Sequence, residues 1–302
     1  MMARCRNLLL ILFSLLAGVS TPGASETRPS APYLSRDEDE LVRLLTGTWS
    51  NDRQVFFAAE AGHDAARLSP LQVLVLAPEE GVPGRLNSRR ETPGAAPEAW
   101  FNAFRADEQA GAVVQEILHT DGAAAGCEIW WTRAAGSFGG TGRGDGCSAV
   151  FSAPEGAGPP AISLSVSATE FQVRSARAGA VIDLQMRRAR PFVCWAGVLK
   201  GASHGDSGAG LADWDFRRGV SLHDQGGEAV IETTETPPRR IRLKLRDVDW
   251  PFGDRRPSLT LYIHEADDAR AVSYAWTEGG ADRIGINLRW IQASCTRADL
   301  DG

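Results

Sequence analysis

Cys127, Cys147, Cys194 and Cys295 are the residues with the clearest chemical potential in this chain: four thiols downstream of the N-terminal segment, an even set suited to oxidation in pairs. Cys127 and Cys147 would close a loop worth roughly 3 kcal/mol through lost chain entropy. If each opened a strand of one meander, an intervening strand would hold them about 10 Å apart, twice the inter-strand spacing. A disulfide needs Cα atoms about 4.4–6.8 Å apart. The bond therefore requires the middle strand, Ser137 to Thr141, to end early. Gly139, Gly140, Gly142 and Gly144 permit that. Cys194 and Cys295 are the remaining pair, either bonded or two buried free thiols.

Other groups offer less. His63, His119, His204, His223 and His264 lack metal-ligand spacing, no cysteine pair has zinc-finger spacing, and no metal site is expected. His204-Gly205-Asp206-Ser207 gathers three residue types of a hydrolase triad, but adjacency is not triad geometry, and the stretch reads as a Gly-rich linker. No catalytic residue is assigned. Nine tryptophans are generous for 302 residues, and Trp130-Trp131 must put one indole on each face of a strand. An apolar, aromatic-lined cavity with a few polar groups is the usual make-up of a small-molecule site. Inside one, Arg53 or Arg133 would pair with a ligand carboxylate.

These side chains need a scaffold, and its pattern is mostly of period two. Residues 1–25 read as a signal peptide: Arg4 and Arg6, the apolar run Leu8 to Val19, then small residues. That run is shorter than the roughly 20 residues of a membrane span, and no later stretch is long enough. The expected location is periplasmic or secreted. The net charge of −6 argues against a nucleic-acid partner.

Ser35 and Glu38 form a candidate capping box for a short helix, with Leu41, Leu44 and Leu45 on one face. Pro78 to Pro97 reads as a long exposed loop, and Trp100, Phe101 and Phe104 suggest at most two helical turns. More than ten short strand-like runs follow, Ser148 to Ser152 among them, punctuated by Gly and Pro. Beyond Ser203 to Gly210, Ile241, Leu243 and Leu245 alternate with Arg240, Arg242, Lys244 and Arg246, the signature of a strand with one wet face. One clear helix among many strands makes the chain all-β, a closed barrel or a sandwich. The C-terminal strands are expected to extend the same sheet.

Gly126-Cys127, Ser137-Phe138 with Gly140, Gly146-Cys147 opening a strand, and the strand pair Ser163 to Val173 occur in an order that resembles the CpcT/CpeT family of chromophore lyases. Leu44 to Asn51 with Gln54 is similar to that family's opening helix and its exit. Arg190-Pro191-Phe192 and Trp195 are similar to its closing strand. The family's Tyr-Arg-Gln-Arg run, implicated in bilin binding, corresponds here to a stretch that keeps Gln115. The resemblance implies a lipocalin-like antiparallel β-barrel with a short N-terminal helix, over residues 26–200, and a bilin or other tetrapyrrole as its ligand. Residues 201–302 are then a β-rich extension of additional antiparallel strands packed on the barrel. Pocket walls are expected from Ile129 to Thr132, Ser137 to Gly140 and Phe192 to Trp195, with Trp130, Trp131, Arg133, Phe138, Arg53 and Trp195 as ligand contacts. The leading expectation is an exported barrel binding a small apolar or tetrapyrrole-like ligand. The alternatives are a bilin lyase proper and a non-catalytic envelope or interaction protein whose barrel is filled by its own side chains.

Overall fold

The computed structural model describes residues 31–62, 70–201, 210–249, 256–265 and 268–298. The segment read as a signal peptide, His63 and the linker residues His204, Asp206 and Ser207 lie outside them. Among the described residues, no helix is long and apolar enough to cross a membrane.

Ten strands form a closed antiparallel barrel. They are β1 (Gly47–Ser50), β2 (Val73–Pro78), β3 (Arg85–Glu91), β4 (Glu98–Asp107), β5 (Ala112–Leu118), β6 (Ala124–Ala134), β7 (Ser137–Arg143), β8 (Ala161–Val166), β9 (Glu170–Arg177) and β10 (Ala180–Ala189). β2 to β10 pair in sequence order, and the four-residue β1 closes the ring by pairing with both β2 and β10. Period-two alternation sends one side of each strand to the interior, as Leu164, Phe171, Val173 and Leu184 show by their burial.

Helix α1 (Ala31–Leu45) covers one end of the barrel, burying Leu34, Leu41, Leu44 and Leu45. It begins four residues before the expected cap at Ser35, with Pro32 in its first turn, where a fixed φ suits a helix start. Arg133, at the end of β6, donates to Asp37 and Glu40 of α1 at 2.7 Å each. Arg188 donates to the carbonyls of Leu44 and Thr46 and lies 4.3 Å from the Trp49 ring centre.

Three sequence expectations are corrected. Pro78 to Pro97 is no continuous loop: it contains β3, whose inward side chains are Leu86, Ser88 and Arg90. Trp100, Phe101 and Phe104 lie on β4, where the barrel's pairing overrides their helix-like spacing. A second helix, α2 (Asp52–Glu60), follows β1 directly.

The C-terminal strands do not extend the barrel sheet. β11 (Pro191–Leu199), β12 (Trp214–His223), β17 (Arg283–Asn287) and β18 (Ile291–Arg297) form one four-stranded sheet. β13 (Gln225–Glu232), β14 (Arg240–Asp249), β15 (Pro257–Glu265) and β16 (Ser273–Glu278) form another. The two share a core of their own that includes Phe192, Val198, Leu243, Leu261, Ile263 and Ile291. Cys194 and Cys295 are cross-strand partners on β11 and β18 and are disulfide-bonded, with Cα atoms 4.0 Å apart. Arg190-Pro191-Phe192 and Trp195 therefore belong to this second body and not to the barrel wall.

A buried charge cluster joins the two bodies. Asp52, the first residue of α2, accepts from Arg246 Nε at 2.7 Å and Nη2 at 3.0 Å, and Lys244 Nζ lies 3.4 Å away. Arg190, between β10 and β11, donates to Asp224 and, at 2.9 Å, to Asp247.

Candidate functional site

The barrel encloses a cavity of about 200 Å³. Its floor is Leu45 of α1, and Val150, Phe151 and Ser152 cover the opposite end. Glycines set its position. A Cβ at Gly140 on β7 would stand 2.8 Å from Ile129 and Trp131, so their side chains spread over β7 and fill that side of the barrel. The open space lies instead between the inner faces of β2 to β5 and those of β8 to β10.

Those two walls differ in chemistry. Leu164, Phe171, Val173, Ile182, Leu184 and Met186 make the β8–β10 side apolar. Opposite it runs a chain of hydrogen bonds. Trp131 Nε1 donates to Gln115 Oε1 at 2.8 Å, Gln115 Nε2 donates to Asn102 Oδ1 at 2.8 Å, and Asn102 Nδ2 donates to Ser88 Oγ at 2.5 Å. Trp100 Nε1 also reaches Asn102 Oδ1, at 3.2 Å. Every amide in the chain is oriented by a neighbour, so the polar wall is preformed. Arg90, on the same wall at the mouth, lies 5.5 Å from the Trp100 ring centre, pairs with Glu98 and donates to the carbonyl of Val150 at 2.8 Å.

The segment over the mouth contains a one-turn helix, α3 (Cys147–Val150), where the sequence suggested a strand. A run as short as Ser148 to Ser152, apolar only at Ala149, Val150 and Phe151, does not distinguish the two. This difference also removes the geometric objection to the Cys127–Cys147 bond. β7 ends at Arg143, and the chain folds back so that Gly146 N donates to Gly126 O at 3.1 Å. Gly144 makes the approach possible: its φ is +102°, and a Cβ there would sit 2.1 Å from Gly126 O. Cys147 thus reaches Cys127 at the start of β6, with Cα atoms 4.6 Å apart, and the disulfide ties α3 to the barrel rim. Arg177 adds a second tie, to Ser148 Oγ at 2.5 Å. Two such disulfides belong to a non-reducing environment.

None of the six expected ligand contacts lines this cavity. Trp131 points inward as alternation requires, but is buried behind Gln115, which it orients. Trp130 faces outward, donating to Glu128 at 3.0 Å beneath the Arg143 guanidinium, 4.1 Å from its ring centre. Phe138 is core, with Arg133 at 4.8 Å from its ring centre. Hydrogen bonds that Arg133 donates to Glu40 and then to Asp37 push its pKa up, and the same contact holds Glu40 below the usual carboxylate range. Arg53 is on α2, outside the barrel, and borders a groove against β8 to β10. Trp195 is a partly exposed residue of the C-terminal body.

Ser88, Arg90, Trp100, Asn102 and the α3 segment escaped the sequence reading. Alternation of Leu86, Ser88 and Arg90 was the available signal, and its two polar inward members disguised it. The space of about 200 Å³ is smaller than the roughly 300–1,000 Å³ pockets that hold drug-sized ligands, and Gln115 already spends its carbonyl on Trp131. The space is real all the same, so the barrel is not wholly filled by its own side chains. No family model and no curated protein sequence matches the chain.

Proposed function

We propose that the protein is an exported, disulfide-stapled barrel that binds a small amphipathic molecule non-covalently beneath α3. The observation that carries this is the preformed polar wall, Gln115 to Asn102 to Ser88, facing an apolar wall across an enclosed space. A cavity of about 150 Å³ accepts one benzene ring. The ligand is accordingly one ring or a short alkyl chain bearing a polar group.

Titration of the oxidised protein with benzyl alcohol and hexanol, followed by tryptophan fluorescence, tests this. Saturable binding is expected, with a spectral change lost in Trp100→Phe and binding abolished in Val173→Phe, which fills the space. Absence of saturable binding by either probe would refute it. The CpcT/CpeT resemblance of Gly126 to Val173 supplies the second reading, a linear tetrapyrrole. Seating one would require α3 to lift from the mouth, so biliverdin should bind only after the Cys127–Cys147 bond is reduced.

A further inference from the structure

We infer that the ligand is a monocarboxylate and that Arg90 is the residue that recognises its charge, with Glu98 as a displaceable counter-ion. This rests on the proposed binding role of the cavity. Arg90 is the one charged side chain among the described residues lining that space, where the rest are apolar or neutral. A guanidinium in an apolar enclosure requires a partner, since burying an uncompensated charge is costly. Arg90 is 10% exposed, yet its carboxylate partner is 59% exposed. Glu98 lies directly across the strand pair from Arg90 and reaches it from the solvent side of the mouth.

Such a pairing is lopsided. A solvated carboxylate gains little from a guanidinium because water competes for both. A carboxylate inside the cavity would meet the same guanidinium in a medium of lower dielectric, where charge-assisted, two-pronged hydrogen bonds are strongest. Trp100 holds the guanidinium plane in place from below. The third contact, to the Val150 carbonyl, belongs to the segment over the mouth. Lifting that segment to admit a ligand frees an edge of Arg90 when an anion needs it. The hydrogen-bonded wall deeper in the barrel would then receive a second polar substituent, and the apolar wall the body of the molecule.

The test compares pairs of the same shape: hexanoate with hexanol, and benzoate with benzyl alcohol, titrated into the intact protein above pH 6. The carboxylate should bind at least about tenfold tighter than its alcohol, a difference of about 1.4 kcal/mol. Arg90→Gln should bring that ratio to near one. Glu98→Gln leaves an amide acceptor beside Arg90 while removing the competing charge, and should raise the ratio by about threefold or more in the folded protein. Alcohols binding as tightly as carboxylates would overturn the inference while leaving the proposed cavity function intact. A Glu98→Gln ratio equal to the parent's would overturn it too. If neither class binds the parent, both proposals fall together.

Discussion

Asp52→Asn is the substitution that most directly tests how the barrel and the C-terminal body are held together. The side chains of Asp52 and Arg246 are 5% and 10% exposed, and two hydrogen bonds join them. Asparagine keeps the shape and one acceptor but leaves Arg246 buried without its counter-charge, against the faces of Phe56 and Tyr262. Breaking a buried pair from one side costs about 3–5 kcal/mol, and the retained acceptor favours the lower end. If the whole transition moves, the melting temperature falls by roughly 6–12 °C. Because each body has its own core, the variant should also show two resolved transitions by calorimetry. Arg246→Met and the double variant complete a cycle: each single change should cost most of the total, and the pair little more. Burial pushes the Asp52 carboxyl up, but hydrogen bonding and charge from Arg246, then Lys244, outweigh it and hold the pKa below the ordinary value. A depressed folded-state pKa stabilises above the unfolded value, about 3.9, and that stabilisation is lost as pH falls through the folded value. The gap between parent and Asp52→Asn should therefore close in acid. A loss under about 1 kcal/mol at pH 7, with no coupling in the cycle, would refute the reasoning.

Three further outcomes are expected. Cys127→Ala with Cys147→Ala should cost about 3 kcal/mol in chemical denaturation and increase acrylamide quenching of Trp100 as α3 loosens; unchanged quenching would mean that Arg90 and Arg177 suffice to hold it. Gly144→Ala should destabilise by about 1–3 kcal/mol and slow formation of that disulfide, measured by thiol trapping during refolding. His223, against Asp224, Asp52, Glu91 and Lys244, has a pKa that burial lowers below its ordinary 6.5. The unfolded chain then takes up the proton first, so melting temperature should fall as pH drops through about 6.5, and His223→Gln should flatten part of that slope.

The all-β character was legible because Ile162, Leu164 and Val166, like Ile241, Leu243 and Leu245, alternate with polar neighbours. The α1 face was legible from Leu41, Leu44 and Leu45. The Cys127–Cys147 bond was legible from the glycines before Cys147, which permit the sharp return, whereas their even number alone left open whether Cys194 and Cys295 pair. What stayed hidden is what tertiary partners decide. β3 shows only Leu86 as an apolar inward residue, because its other inward positions, Ser88 and Arg90, belong to the polar wall. The division between barrel and second body carries no local signal either: β10 and β11 are separated by Arg190 alone. The cavity's location depends on Gly140 yielding its side to Ile129 and Trp131, a three-strand arrangement that no single stretch of sequence displays.

The two disulfides also impose an order on biogenesis. One spans 20 residues within a local turn; the other spans 101 and encircles nearly the whole C-terminal body. A chain emerging N-terminus first presents Cys127 and Cys147 to an oxidant long before Cys295 appears. Once those two are bonded, Cys194 arrives with neither wrong partner available and waits as a single thiol. In a chain exported with loss of the segment that carries Cys5, three pairings are open to the four remaining cysteines; vectorial emergence removes two, and the native connectivity is then within reach without a disulfide isomerase.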